Sequence, residues 1–153
     1  MRDPDGTPID PFDPDGTLDC TAPGDSSLWA TPPEYRAGGV LSLGFAATIP
    51  DYAQIKAGTA AQRDLSTDAP ALVVFAYYFG PRRGDVLSLE ITGPEGRIIA
   101  QDIDLPKDQA QAFRAIGKHR RFAHWPRGTY SGMATLIRDG ITVDSKTTEI
   151  QLR

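Results

Sequence analysis

Four acidic side chains near the N-terminus are of the residue type that a metal-binding loop needs. They lie within ten residues, at Asp10, Asp13, Asp15 and Asp19. Ca²⁺ binds through several oxygen ligands, so such a cluster suggests a calcium site. The spacing lacks the Asp-x-Asp-x-Asp-Gly order and the closing Glu of an EF-hand loop. The pattern therefore favours two polar turns over a calcium site.

The two histidines and the single cysteine are the other candidates for chemistry. His119 and His124 are flanked by Lys and Arg, whose positive charges disfavour a bound cation. Cys20 lies in a Pro- and Gly-containing stretch without an adjacent base to activate it as a nucleophile. It is an unpaired thiol or bonds to a cysteine outside this sequence, since one cysteine forms no internal disulfide. We therefore predict no catalytic residue, no metal ligand and no cofactor in this chain.

A cluster of basic residues around a tryptophan is the best candidate for a binding surface. Cations beside an exposed aromatic side chain suit an acidic polymer or a glycan, and they also suit the acidic N-terminal arm. The sequence favours the alternative, a solvated loop in which Trp125 and Pro126 cap the edge of a sandwich. The predicted surface consists of Arg114, Lys118, Arg120, Arg121, Trp125 and Arg127, with His119 and His124 beside them.

Composition and charge narrow the class of protein. The chain has 153 residues, of which 40% are hydrophobic, so it can form one core with an appendage. Its 15 Gly and 13 Pro favour short strands joined by tight turns. The net charge of −4 hides an asymmetry, because residues 1–35 hold eight acidic groups and one basic group, whereas residues 36–153 hold twelve acidic and fifteen basic groups. This basic excess is too small to predict nucleic-acid binding. No apolar run approaches the ~20 residues of a membrane span, so we predict none.

The stretch Ala69–Asp85 contains the densest apolar run of the sequence, Leu72–Phe79. It is rich in β-branched and aromatic residues, and Pro70 and Gly80 bracket it. These features predict a strand that is buried on both faces.

The later residues alternate strand and turn patterns. Val86–Thr92 alternates apolar and polar residues, and after a Gly-Pro-Glu-Gly turn the chain returns through Arg97–Leu105. Residues 106–117 carry local helix signals, yet a strand there serves a sandwich better, and we predict a strand. Residues 69–153 are thus predicted to form an all-β, antiparallel immunoglobulin-like β-sandwich.

The last two predicted strands form a hairpin. Gly128–Arg138 and Ile141–Arg153 are joined by Asp139-Gly140, a strong signal for a two-residue turn. Such a loop predicts that Leu136 lies opposite Val143.

The N-terminal third is predicted to be an arm. Asp3–Thr7 and Asp13–Thr17 repeat the same Asp-Pro-Asp-Gly-Thr turn motif, and we interpret residues 1–20 as the remnant hairpin and exit of a preceding domain. Residues 21–68 are predicted to be an extended, mostly irregular linker arm. It is predicted to contain a short strand near Val40–Phe45 and one short helix near residues 50–58. Apolar anchors are predicted at Leu28-Trp29 and Tyr35.

Two sets of residues resemble a known family. Residues 2–12 are similar to the end of the catalytic domain of lysostaphin-type (LytM-type) zinc endopeptidases, where a charged hairpin and an Asp-Pro exit follow the zinc-binding strand. Later motifs resemble the domain that follows the catalytic one in a group of these enzymes from Gram-negative bacteria. They are Phe79-Gly80-x-Arg82-x-Gly84-Asp85, Gly93-Pro94-x-Gly96, Ala110-Gln111, Gly117-Lys118 and Trp125-Pro126-x-Gly128-x-Tyr130.

The resemblance implies a non-catalytic role for this chain. Family members bind Zn²⁺ through a His-x-x-x-Asp and a His-x-His motif, and this sequence contains neither. Zinc is therefore expected only in a catalytic domain outside this chain.

The expected function is that of an accessory domain of a peptidoglycan-degrading zinc endopeptidase, located in the periplasm or cell envelope. Its expected partner is its own catalytic domain or a cell-wall polymer. The alternative is a free-standing immunoglobulin-like binding or structural protein of the cell envelope.

Overall fold

The computed structural model describes residues 4–10, 30–31 and 34–153. The chain divides into two compact units, Met1–Arg36 and Ala37–Arg153. In the first unit, Pro4 and Asp5 lie in a turn and Gly6 has a φ of 84°, as the Asp-Pro-Asp-Gly motif predicts. Cys20, the second turn motif, the predicted anchor Leu28-Trp29 and three of the four clustered carboxylates lie outside the described residues.

The second unit is built almost entirely from β-strands, which confirms the predicted all-β class. Its described elements are β1 Gly39–Ala46, α1 Tyr52–Ala57, β2 Asp64–Leu65, β3 Ala71–Phe79, β4 Val86–Gly93, β5 Gly96–Asp104, β6 Gln111–His119, β7 Gly128–Arg138 and β8 Ile141–Leu152.

These strands form two open sheets. One has three strands in the order β1-β3-β6, and the other has five in the order β2-β8-β7-β4-β5. Neighbouring strands are antiparallel except for β2, which runs parallel to β8. Side chains from both sheets share one hydrophobic core, to which β3, β4 and β7 contribute fully buried residues.

Strand β3 is buried on both faces, as predicted. Alternate residues along a strand point to opposite sides. Leu72, Val74 and Tyr78 enter the core shared by the two sheets. Phe75 and Tyr77 face the other way, where Ile55 of α1 covers them. The strand therefore has no solvated face, which explains why its sequence is apolar at nearly every position.

The predicted short helix is confirmed as α1. It follows Pro50 and ends at Gly58, whose φ of 73° lets its N–H reach the carbonyls of Gln54 and Ile55. Tyr52 stacks against Phe113 of β6, with ring centroids 5.5 Å apart. The helix thus covers the outer face of the three-stranded sheet.

The β unit begins earlier in the chain than the sequence predicts. It starts at Ala37 and not at Ala69, because β1 pairs with β3 along its whole length. The strand predicted near Val40–Phe45 is therefore an integral part of a sheet. Since β6 covers only one edge of β3, the other edge needs a partner strand, and β1 provides it.

The segment with conflicting signals is a strand, β6, as predicted. It pairs with β3 without interruption from Gln111 to His119. Ala112 and Ile116 enter the core from this strand. The long ladder and the buried side chains outweigh the local helix preference.

The terminal hairpin has the predicted turn but a different register. Asp139 and Gly140 both have positive φ, 52° and 77°, as a two-residue type I′ turn requires. Leu136 lies opposite Asp144 and not Val143, because the register shifts between Leu136 and Ile137. In this register, Asp144 Oδ2 accepts a hydrogen bond from the backbone N–H of Val40 at 2.8 Å. It thus ties β8 to β1 across the two sheets.

Candidate functional site

The loops of the β unit gather at two ends, which differ in their chemistry. At the first, the loops after β3, β5 and β7 meet, and we call it the arginine end after Arg138. At the second, the β4–β5 turn and the β6–β7 loop meet the segment before β3, and we call it the groove end.

The arginine end contains a buried ion pair. Asp85 is only 2% exposed, and the Arg138 guanidinium binds both of its carboxylate oxygens, with Nε–Oδ1 at 2.9 Å and Nη2–Oδ2 at 2.8 Å. The backbone N–H of Arg82 donates to Oδ2, and Arg138 also donates to the carbonyl of Gly80. The hydrogen bonds from Arg138 lower the pKa of Asp85 despite its burial. The pair links the loop after β3 to the end of β7.

The groove end contains a concave site of about 580 Å³. One wall is the β4–β5 turn, residues 93–98. The other wall is formed by Lys118 and His119 at the end of β6 and by the loop that follows. Trp125 and Tyr130 are buried beneath it and form its floor. This site is made by two segments that are distant in sequence, residues 93–98 and 118–130.

Cationic side chains outnumber carboxylates in the lining of this groove. Arg97, Lys118 and Arg121 line it together with two histidines, His119 and His124, against a single carboxylate, Glu95. Arg97 is paired with Glu90 at 3.4 Å and His124 with Asp68 at 2.6 Å. Among the described residues, no carboxylate lies within ion-pair distance of Lys118, His119 or Arg121. Three basic groups are thus available to a ligand.

The aromatic side chain presented to solvent at this groove is Phe122, which the sequence prediction missed. It is 70% exposed, whereas Trp125, the aromatic residue of the predicted surface, is 5% exposed. Trp125 is buried because its indole N–H finds a partner, the carbonyl of Ala69 at 2.9 Å. Phe122 could have been identified from the sequence as a single aromatic residue between Arg121 and Ala123 that lies outside any strand pattern.

The loop that carries Phe122 is fixed at several points. The Arg120 backbone N–H donates to the carbonyl of Pro70, and its guanidinium donates to the carbonyls of Phe122 and Ala123. His124 Nδ1 contacts Asp68 at 2.6 Å. The hydrogen bonds of Arg120 therefore hold the loop in the conformation that forms one wall of the groove.

Close packing joins the two walls at their base. A Cβ on Gly93 would lie 2.8 Å from the ring of Tyr130, so only glycine permits this approach. The Tyr130 hydroxyl donates to the carbonyl of Pro126 at 2.7 Å. Burial, aided by the negative charge of Glu95, raises the pKa of Tyr130, so the hydroxyl stays protonated and donates at neutral pH.

The six residues of the predicted surface occupy four different places. Lys118 and Arg121 line the groove, beside Phe122. Arg127 lines a smaller cavity of about 290 Å³, together with Thr67 and Asp68. Arg114 is half-buried in β6, where it donates to the carbonyl of Phe113 at 2.9 Å.

The remaining two, Arg120 and Trp125, hold the loop in place through hydrogen bonds to the carbonyls of Phe122 and Ala69, respectively. The predicted surface is therefore only partly a single site, because strand and loop geometry separates residues that are adjacent in sequence.

The part of the chain that the structure describes shows neither a candidate metal site nor a candidate membrane-spanning helix. No group of three or more His, Cys, Asp or Glu side chains is placed to hold a metal ion within residues 4–10, 30–31 and 34–153. No helix among these residues is both long and apolar enough to cross a membrane.

Comparison with known proteins does not show which family the chain belongs to. No protein-family model matches the chain, and no curated protein matches it. Among solved structures it is similar to a "putative beta-galactosidase from bacteroides fragilis", with 14% sequence identity and a TM-score of 0.43. The match covers 76% of this chain and 18% of that one, so the chain spans under a fifth of that protein's length. A likeness this distant carries no argument about fold or function.

Proposed function

We propose that the chain is a non-catalytic binding module that holds an anionic partner at the groove end. One observation carries this proposal: Lys118 and Arg121, with His119 between them in the sequence, line the same groove as the exposed ring of Phe122 and have no carboxylate partner among the described residues. Basic groups that share a concave site focus positive potential, which attracts anions and speeds their association.

We further propose that the β unit is an immunoglobulin-like sandwich. The order β4-β7-β8 matches the C-F-G sheet of that fold, and β1-β3-β6 matches its A-B-E sheet. Tyr130 lies near the start of the penultimate strand, and its hydroxyl bonds to a carbonyl four residues upstream, as in the tyrosine corner of such domains. These features support an architecture whose end loops commonly bind ligands.

The wider setting is also a proposal, which the resemblance to LytM-type zinc endopeptidases supports. In that setting the chain is the accessory domain of a peptidoglycan-degrading enzyme in the periplasm or cell envelope. Its partner is the catalytic domain of that enzyme or a cell-wall polymer. Several of the motifs behind the resemblance, Gly93-Pro94, Gly117-Lys118 and Trp125-Pro126, lie at or beside the groove.

The binding proposal is tested by sedimentation of the full chain with purified peptidoglycan sacculi. We expect the chain to bind, and we expect the double variant Lys118→Glu/Arg121→Glu to bind at least about tenfold more weakly. The exposed Arg83 and Lys107 at the arginine end provide the matched control, since Arg83→Glu/Lys107→Glu changes the charge by the same amount away from the groove. Binding that is equal in all three proteins contradicts the proposal.

The peptidase setting is tested by the coding DNA immediately upstream of Met1. An in-frame His-x-His motif a few residues before Arg2, with His-x-x-x-Asp further upstream, is the expected result. An in-frame stop codon there contradicts it.

A further inference from the structure

We infer that the ligand of the groove is an oligosaccharide that carries carboxylate groups. The inference rests on the proposed binding function and specifies its ligand. Three properties of the groove carry it: its size, its exposed aromatic ring and the presence of Glu95 among the basic groups.

The size of the groove favours a small ligand over a protein surface. Its volume of about 580 Å³ lies in the range typical of small-molecule sites. A stable protein partner buries roughly 800 Å² on each side of an interface. A concave site of this volume holds a few sugar rings, and its walls would keep a flat protein surface away from the floor.

The residues on the rim suit an anionic sugar. Phe122 offers the flat face of an aromatic ring, on which the apolar C–H face of a pyranose packs. No other aromatic ring stacks on Phe122 among the described residues. The neighbouring Arg121 offers a planar guanidinium that binds carboxylates through two parallel hydrogen bonds. Lys118 adds a second positive charge on the same wall.

Glu95 favours a ligand that carries hydroxyl groups beside its carboxylates. A carboxylate in the groove repels any anion, so the part of the ligand that lies against Glu95 is uncharged. The Glu95 carboxylate accepts hydrogen bonds from the hydroxyl groups of a sugar. The expected ligand is therefore rich in hydroxyl groups as well as in carboxylates.

The loop is already held in its binding shape, which lowers the entropic cost of association. Arg120 anchors the loop to Pro70 and to the carbonyl of Phe122, and Trp125 anchors it to Thr67 and Ala69. We therefore expect the same loop conformation with and without ligand.

The test is calorimetric titration of the full chain with tetragalacturonate and with its fully methyl-esterified form. The two ligands share their rings and differ in charge. We expect the acid to bind at least about tenfold more tightly than the ester, and binding of the acid to weaken about tenfold in Phe122→Ala and in Arg121→Gln. The control Arg83→Gln is expected to bind the acid as the wild type does.

Several results would overturn the inference. They are equal affinity for acid and ester, undiminished binding by Phe122→Ala, and tighter binding of a single-stranded oligonucleotide than of tetragalacturonate. If sacculi bind and the Lys118/Arg121 reversal abolishes that binding while tetragalacturonate does not bind, this inference fails alone. If neither sacculi nor tetragalacturonate binds, both the inference and the proposed function fail.

Discussion

The two ends of the β unit use charge in opposite ways. At the arginine end, the carboxylate of Asp85 is buried, and hydrogen bonds from Arg138 and the backbone occupy both of its oxygens. At the groove end, Lys118 and Arg121 are exposed and lie beside Phe122 without a carboxylate partner in the described part of the chain. A buried charge must be paired to be tolerated, whereas an exposed charge is kept in water at little cost. The first end therefore stabilises the fold, and the second is available for a ligand.

The largest expected effect is at the arginine end. Asp85→Asn removes a buried negative charge that binds the Arg138 guanidinium through both carboxylate oxygens. Removal of one partner of a buried pair costs about 3–5 kcal/mol of unfolding free energy. Urea denaturation measures this loss. The exposed pair of Asp64 with Arg153 provides the control, and Asp64→Asn is expected to cost under about 1 kcal/mol. Equal losses in the two variants would contradict the structural role of Asp85.

A smaller loss is expected from the floor of the groove. Trp125→Phe removes the indole N–H and leaves the buried carbonyl of Ala69 without its partner. An unsatisfied buried polar group costs roughly 1–3 kcal/mol. Thermal or urea unfolding tests this prediction. If unfolding is unchanged while ligand affinity falls, Trp125 contacts the ligand instead of supporting the floor.

The pH dependence of stability is expected to follow Asp85. Because Arg138 lowers its pKa in the folded protein, the folded state binds this proton less readily than the unfolded state does. The stabilisation is complete above the ordinary Asp pKa of about 4 and is lost as the pH falls through the lower folded value. Unfolding free energies measured from neutral pH downward should fall more steeply in the wild type than in Asp85→Asn. Parallel curves would contradict this assignment.

The smallest effect on stability is expected at the rim of the groove. Lys118→Gln/Arg121→Gln should change the unfolding free energy by no more than about 0.5 kcal/mol, because both side chains are exposed and make no ion pair in the described structure. The same denaturation experiment measures it. A loss above about 2 kcal/mol, which is typical of substitutions in a protein core, would contradict the account. It would show that Lys118 and Arg121 stabilise the fold as the buried ion pair does.

Local signals were sufficient for several elements of the fold. The apolar run of β3, the cap residues of α1 and the Asp139-Gly140 turn each specify their structure through nearby residues. The pairing of β1 with β3 was not predictable in this way, because it joins segments about thirty residues apart and depends on the unpaired edge of β3. The start of the β unit at Ala37 follows from that pairing.

The same limit applies to the candidate site. The sequence predicts a basic cluster near residues 118–121, but it does not show whether Trp125 or Phe122 is the exposed aromatic residue beside it. Which ring is exposed depends on the carbonyl of Ala69, which lies 56 residues away in the chain. The hairpin register likewise depends on a distant residue, Val40, to which Asp144 is bonded. Periodicity along the sequence carries no information about such partners.

The most direct measurement is an amide NMR titration of the labelled full chain with solubilised peptidoglycan fragments. The account predicts shift changes at Glu95, Lys118, Arg121 and Phe122, and none around Arg83 and Asp85. Shift changes confined to the arginine end, or none at saturating ligand, would contradict the assignment of the groove end as the binding site.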